Sequence, residues 1–318
     1  YAGRLAFVKT QRSRYGKFVR FTLGTILAVL LIFAAGIGQA GERQVTASHK
    51  GLTLNGRLVT ADGAGVRDGI VLFTHGTLAH NGMELVRAVQ AGLRERGVNS
   101  LAITLSLGLD KRIGMYDCKV PHRHRHEDAL DEIGVWLDWL KAEGAGDVTL
   151  MGHSRGANQT AWFAAERPNA VVKRVVLLAP SMWRAARRDA DYERRYNTPL
   201  EPILKQAAAL VAAGKGGAIL KNTGFVYCPG TAVSAASFVS YYKDERRRHT
   251  PALLPKIGVR VLVIAGSQDM VVKGIPEAVR PLADGGKITL LVIEDAGHFF
   301  LDFYAEDVAD AVAGFTAP

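Results

Sequence analysis

From about residue 50 onward, short apolar runs alternate with longer amphipathic ones. Gly69 to Thr74 (GIVLFT), Val98 to Leu105, Asp147 to Met151, Arg174 to Leu178, Arg260 to Ala265 and Lys287 to Ile293 read as strands. They lack an apolar–polar alternation, the mark of strands buried on both faces. Between them, Met83 to Arg96 predicts a helix, with Gly97 where a C-terminal cap glycine belongs. Glu127 to Glu143 predicts another, because Leu130, Ile133, Leu137 and Leu140 recur at three and four opposite Asp128, Asp131 and Glu132. Arg155 to Glu166 reads as a helix lined with small residues, and a helix is expected after each of the last two strands. Leu52–Leu54 and Arg57–Thr60 alternate in polarity around Asn55-Gly56, which predicts a hairpin turning there. Strands alternating with helices make the class α/β, with a mainly parallel, doubly wound sheet.

The rhythm breaks between Pro180 and Pro251. That stretch carries a helical pattern over Pro202 to Ala213 and glycine-rich loops, with no clear strand. It reads as a helical cap inserted over the strand ends. The expected organisation is a core over 41–180, a cap over 181–250 and a second part of the core over 251–318.

Two segments precede the core. Residues 1–20 hold Arg4, Lys9, Arg12, Arg14, Lys17 and Arg20 and no acid. Phe21 to Gly38 is free of charge, and the apolar segment closes by residue 40. A bilayer span needs ~20 apolar residues and a signal-peptide core ~7–15, so the segment reads as a transmembrane anchor or a signal helix, with cleavage after Ala40 as the second alternative and a buried soluble helix as the third. In either export reading the basic leader stays cytoplasmic, residues 21–38 meet the membrane, and the large domain lies outside the cytoplasm, periplasmic or extracellular, or is secreted.

The chain has 318 residues and a formal charge of +10. Outside the leader, the excess lies in Ser181 to Thr250, with 12 basic against 6 acidic residues. No basic stripe interleaved with aromatics is present, so nucleic acid is not an expected partner. A solvated face is the plain reading of the cap arginines; attraction of an anionic substrate or acidic lipid head groups is the other. The only two cysteines, Cys118 and Cys228, form one bridge or remain two thiols. A bridge would staple the cap to the loop after the strand at 98–105. Aromatics Trp183, Phe225, Tyr227, Phe238, Tyr241 and Tyr242 either line an acyl pocket or pack the cap. The run His122-Arg123-His124-Arg125-His126 reads as a solvated loop rather than a metal site, because the arginines would repel a cation.

The candidate chemistry begins at Gly152-His153-Ser154-Arg155-Gly156, which joins a strand to a helix. A G-x-S-x-G at such a junction lifts a serine hydroxyl above the sheet edge on a strained turn, and a Cβ at Gly152 or Gly156 would crowd the neighbouring strand or helix. His75-Gly76 follows an early strand, Gly266-Ser267-Gln268-Asp269 a later one, and Ala296-Gly297-His298 the last. These four pieces, in this order, resemble the α/β-hydrolase superfamily over roughly residues 50 to 315. The resemblance implies Ser154 as nucleophile, His298 as base and acid, and Asp269 as the carboxylate that orients it. Asp295, close to His298 in sequence, is the competitor for that last place. The implied oxyanion donors are the backbone N–H of Arg155 and that of Thr77 or Leu78. His75 and His153 read as structural, His75 shaping the oxyanion loop and His153 turned from the substrate.

The expected function is a serine hydrolase that cleaves a small carboxylic ester, or an amide or thioester, through an acyl-enzyme and without a cofactor. An acyltransferase differs only in the acceptor. From another class, the chain would be an accessory or scaffold subunit of a membrane protein complex that uses a hydrolase fold.

Overall fold

A computed structural model describes residues 41–317. The leader at 1–20 and the apolar segment at 21–40 lie outside the described residues. Among the described residues, no helix is long and apolar enough to cross a membrane.

Eight strands form one sheet in the order β1-β2-β4-β3-β5-β6-β9-β10. These are β1 (Gly41–His49), β2 (Leu52–Thr60), β3 (Ile70–Thr74), β4 (Asn99–Thr104), β5 (Val148–His153), β6 (Val172–Leu178), β9 (Arg260–Gly266) and β10 (Ile288–Ile293). β1 and β2 are antiparallel to their neighbours, and the other pairings are parallel. The apolar runs therefore became the parallel centre: every residue of β3, β4 and β5 is buried. Helices α1 (Glu84–Glu95), α2 (Asp128–Ala142), α3 (Arg155–Glu166), α7 (Ile275–Val279) and α8 (Tyr304–Thr316) complete the core. α1 packs on α8, and α2 packs on α3. The sheet runs from β3 to β4 in one direction and from β3 through β5 to β10 in the other. Right-handed crossovers then require helices on both faces, and the strand order reverses between β3 and β5.

The hairpin is not at Asn55-Gly56. β2 runs straight through, with Gly56 paired to Val45 on one side and Ile103 on the other. The ring of Trp136, wholly buried in α2, lies against this glycine, and a Cβ there would sit 2.9 Å from its Cη2. Packing thus uses Gly56 for close approach rather than for turning. The turn falls at Lys50-Gly51, both with positive φ (49° and 80°), as a two-residue hairpin loop with the strands' twist requires.

Between β6 and β9 lie α4 (Ala185–Tyr196), α5 (Leu200–Ala212), β7 (Ile219–Phe225), β8 (Cys228–Ser234) and α6 (Ala235–Tyr242). The expectation of no strand in this stretch is overturned, since β7 and β8 pair as an antiparallel hairpin. The segment has its own apolar cluster, in which Phe225 and Phe238 are fully buried beside Tyr192, Leu204 and Tyr241. Cys118 and Cys228 form a disulfide that ties the start of β8 to the loop after β4.

The histidine run is not solvated. His122 donates its N–H to Ala232 and accepts from Ser234, so the chain here extends along β8. Extended chain alternates its side chains. His122, His124 and His126 are accordingly buried, while Arg123 and Arg125 are exposed. His122 Nδ1 meets His124 Nε2 at 3.1 Å, and His124 Nδ1 meets the Tyr241 hydroxyl at 2.9 Å. His126 Nε2 donates to Asn158 Oδ1 at 3.0 Å.

Candidate active site

The C-terminal ends of β3 and β5 flank the point where strand order reverses, the place where open α/β sheets form ligand crevices. Ser154 occupies the residue between β5 and α3, with φ 56° and ψ −119°. This is left-handed backbone that a side chain rarely adopts. The glycines on either side explain how the turn closes. A Cβ at Gly152 would come within 2.5 Å of the Gly156 carbonyl oxygen and 2.6 Å of Ala157 Cα, and one at Gly156 within 2.6 Å of the Thr74 carbonyl oxygen. The serine is held by its own backbone: its N–H donates to Leu178 at 2.9 Å and its carbonyl accepts from Ser181 at 3.0 Å.

The three side chains expected to act together do meet. Ser154 Oγ lies 3.0 Å from His298 Nε2, and His298 Nδ1 lies 2.7 Å from Asp269 Oδ2. All three are buried. Asp269 Oδ1 accepts the N–H groups of Val271 and Val272, each at 2.8 Å. Burial alone would push the Asp269 carboxyl up, but His298 and these two N–H donors outweigh it and leave it below the usual carboxylate value. Asp295 is not the partner: it is exposed, and its N–H donates to Ser267 Oγ at 2.8 Å.

His153 stands behind the histidine. Its Nε2 donates to the His298 carbonyl at 2.9 Å, and the two rings lie 4.9 Å apart. Burial, and then the nearby His298, push His153 down to about 3, which keeps its ring neutral.

The loop after β3 lies against the elbow. A Cβ at Gly76 would sit 3.1 Å from His153 Nδ1 and 3.4 Å from Ser154 Cβ. His75 does shape this loop: its Nδ1 donates to the Gly76 carbonyl at 2.7 Å, and its Nε2 accepts from Leu105 N–H at 3.0 Å and from Arg112 at 3.1 Å. This fixes the Nδ1–H tautomer, and burial followed by the Arg112 charge holds His75 well below the usual imidazole value. Leu78 has a positive φ of 56° and its carbonyl accepts from Tyr116 N–H at 3.0 Å, while Thr77 Oγ1 accepts from Arg155 Nε at 3.0 Å. Among the described residues, the backbone N–H groups of Thr77, Leu78 and Arg155 have no protein acceptor.

Arg112 was not foreseen. It is buried and spends its donors on the carbonyls of Leu105, Gly114 and Ala79 at 2.6, 2.7 and 2.6 Å, and on His75. It thereby ties the loop after β3 to the loop after β4. Burial lowers its value to about 10. Nothing in the local sequence marks it, because a lone arginine between glycine-rich turns reads as solvated.

A cleft of about 790 Å³ opens beside the serine. Arg155 and Ser181 line it, as do Val271 and Val272, whose N–H groups hold Asp269. The cap supplies the facing wall. Trp183 and Tyr227 line the cleft, Tyr241 and Tyr242 line it while also packing in the cap cluster, and Phe225 and Phe238 belong to the cap core alone. Ser154, His298 and Asp269 themselves do not line this cleft, which reaches them through their neighbours Arg155, Met270 and Val271. A second cavity, about 680 Å³, is lined by residues of β1, β2 and α1, away from all three.

Chemically, a hydroxyl in contact with an imidazole that is itself held by a carboxylate can be deprotonated as it attacks an electrophile. Unpaired N–H groups beside it suit an oxygen that gains negative charge.

Solved structures share this fold. Est1E from Butyrivibrio proteoclasticus with bound ferulic acid matches with a TM-score of 0.61 and 21% identity, over 85% of this chain and 97% of that chain. An esterase from Pyrococcus furiosus matches with a TM-score of 0.55 and 17% identity, over 87% and 90%. A dienelactone hydrolase from Anabaena variabilis matches with a TM-score of 0.53 and 21% identity, over 87% and 96%. No curated protein matches the sequence. The description of the alpha/beta hydrolase family matches residues 71–312, and this chain belongs to that family.

Proposed function

We propose that this protein is a serine ester hydrolase that works through an acyl-enzyme at Ser154. The observation that carries the reading is the unbroken relay Ser154–His298–Asp269, at 3.0 and 2.7 Å, next to Arg155 and Met270 of the cleft lining.

In this reading His298 Nε2 takes the Ser154 proton as Oγ attacks the ester carbonyl. The developing oxyanion turns toward the N–H of Arg155 and that of Thr77 or Leu78, each such donor worth ~2.7–4 kcal/mol in the transition state. The imidazolium, stabilised by Asp269, then gives its proton to the leaving alkoxide, and an alcohol departs. Water enters and attacks the acyl carbonyl as His298 takes one of its protons; the tetrahedral intermediate then collapses, the imidazolium returns that proton to Ser154 Oγ as its bond to the acyl carbon breaks, and the carboxylic acid departs. Transfer to another alcohol needs only a different acceptor at the second step. The same relay would accept a thioester or amide with a different leaving group.

The test is labelling with a fluorophosphonate probe together with turnover of short aryl esters. Wild-type protein should label at Ser154, and Ser154→Ala should lose labelling and at least ~10³-fold of kcat. An unlabelled Ser154 in folded protein would favour the scaffold reading instead.

We also place the catalytic domain outside the cytoplasm, tethered through residues 21–38 or released after cleavage. The support is the basic block ahead of an uncharged run, and the cap disulfide, which suits an oxidising compartment. Fractionation of cells expressing the full chain tests it, and a purely cytosolic pool would overturn it.

A further inference from the structure

The cleft beside Ser154 is more one-sided in charge than the cap that roofs it. Seven of its lining side chains are arginine or lysine, and one, Asp191, is acidic. Two of the seven are already neutralised: Arg194 pairs with Asp191 at 2.6 Å, and Arg188 with Asp189 and Glu201 at 2.8 and 3.2 Å. The other five, Arg155, Arg184, Arg187, Arg195 and Lys273, have no carboxylate partner among the described residues.

Three of these cations are held in place by neutral groups. Arg155 donates to Thr77 Oγ1, and its guanidinium stands 5.1 Å from the centre of the Tyr241 ring. Arg184 donates to the Lys273 carbonyl at 3.2 Å. Arg195 donates to the Val226 carbonyl at 2.8 Å and lies 4.5 Å from the centre of the Tyr227 ring. Such groups are positioned without being discharged. α4 shows the sorting: it also carries Asp189 and Glu193, but neither lines the cleft. A merely solvated helix face keeps both signs interspersed. A cleft lined by one sign of charge focuses its potential on whatever enters. Arg155 follows the serine in sequence, so that potential extends to the reacting centre.

We propose that the natural substrate is an ester bearing an anionic group, a carboxylate or a phosphate, on the part that fills this cleft, and that Arg184, Arg187 and Lys273 bind that group. The proposal rests on the ester-hydrolase reading of Ser154 and adds the substrate class to it.

Two matched series test it. One compares para-nitrophenyl hexanoate with mono-para-nitrophenyl adipate, which places a carboxylate on the acyl side. The other compares the butyrate esters of para-cresol, para-hydroxybenzoate and para-hydroxyphenyl phosphate, which places either anion on the alcohol side. In at least one series kcat/KM for an anionic ester should exceed that of its neutral partner about tenfold or more at low ionic strength, and the advantage should shrink severalfold at about 0.5 M salt. The carboxylate and phosphate arms tell the two anions apart. Arg184→Gln combined with Arg187→Gln should narrow the anionic-to-neutral ratio about fivefold or more. The salt dependence is read on wild-type protein, so it stands even where that variant folds poorly. Neutral esters preferred in both series, or a preference indifferent to salt, would overturn the proposal. Ester turnover undiminished in Ser154→Ala would bring down the hydrolase reading instead, whatever the ratios.

Discussion

His153 Nε2 donates to the backbone carbonyl of His298 across 2.9 Å, so the residue before the serine fixes the loop that delivers the imidazole. The elbow and the base loop are therefore one mechanical unit. His153→Phe keeps a ring in the space and removes the donor. We expect kcat to fall ~10–100-fold with KM little changed, as for a small misplacement of a reacting group. Circular dichroism checks the fold and steady-state kinetics the effect; an unaltered kcat would mean that the loop is held by other contacts.

Asp269 rather than Asp295 should answer to mutation. Asp269→Asn leaves shape but removes the charge facing His298 Nδ1. A loss of ~10³–10⁴-fold in kcat is expected, through the wrong tautomer and an unstabilised imidazolium. Asp295→Asn, at an exposed residue with no bond to His298, should stay within about twofold of wild type. Comparable losses in both variants would contradict the assignment.

Acid should weaken the fold in a window set by imidazoles. Burial, aided by Arg155, Arg112 or neighbouring histidines, holds His75, His124 and His126 well below their usual value, and burial brings His122 down to about 4 and His153 to about 3. The unfolded chain takes up protons near pH ~6.5 while the native protein does not. Stability from these groups is thus fully present above that pH and is lost as pH falls toward the native values. Glu132, pushed up to about 7 by burial despite its bonds from Ser106, acts in the opposite sense: its penalty grows as pH rises toward that value. Five imidazoles oppose one carboxyl, so Tm should drop steadily between about pH 6.5 and pH 4.5. Calorimetry across that range checks it, and a flat Tm would show that the rings gain protons without unfolding.

The disulfide closes a loop of 110 residues. Replacing Cys118 and Cys228 together by alanine should cost about 2–4 kcal/mol, chiefly by freeing the unfolded chain. The cap should loosen first, since the bridge anchors β8. Thermal melts and hydrogen exchange of α4 to α6, with and without reductant, read this out. Identical exchange in both states would argue that its pairing with β7 and His122 holds β8 without the bridge.

Legibility followed the range of the forces. The parallel strands were readable because burial on both faces leaves apolar runs, and the helix at Arg155–Glu166 came out with its observed bounds because small residues mark a tightly packed face. The three site residues were readable because Ser154 follows β5 directly and Asp269 and His298 lie in the loops just after β9 and β10, so strand order brings them to one edge. Asn55-Gly56 misled because the turn preference is local, whereas the ring of Trp136 arrives from eighty residues on. β7 and β8 (ILKNTGF and CPGTAVS) show no apolar alternation; their pairing with each other, and of β8 with His122, holds them. The histidines became buried for the same reason, through an edge that no spacing within 121–126 announces.

The left-handed backbone at Ser154 carries one last implication. A non-glycine residue there costs on the order of 1–3 kcal/mol, met by the packing of β5, α3 and the loop after β3. Ser154→Gly should therefore melt higher than the natural protein while doing no chemistry. Random mutagenesis screened for thermal tolerance alone would drift toward inert glycine at this position, and durability and turnover would have to be selected together.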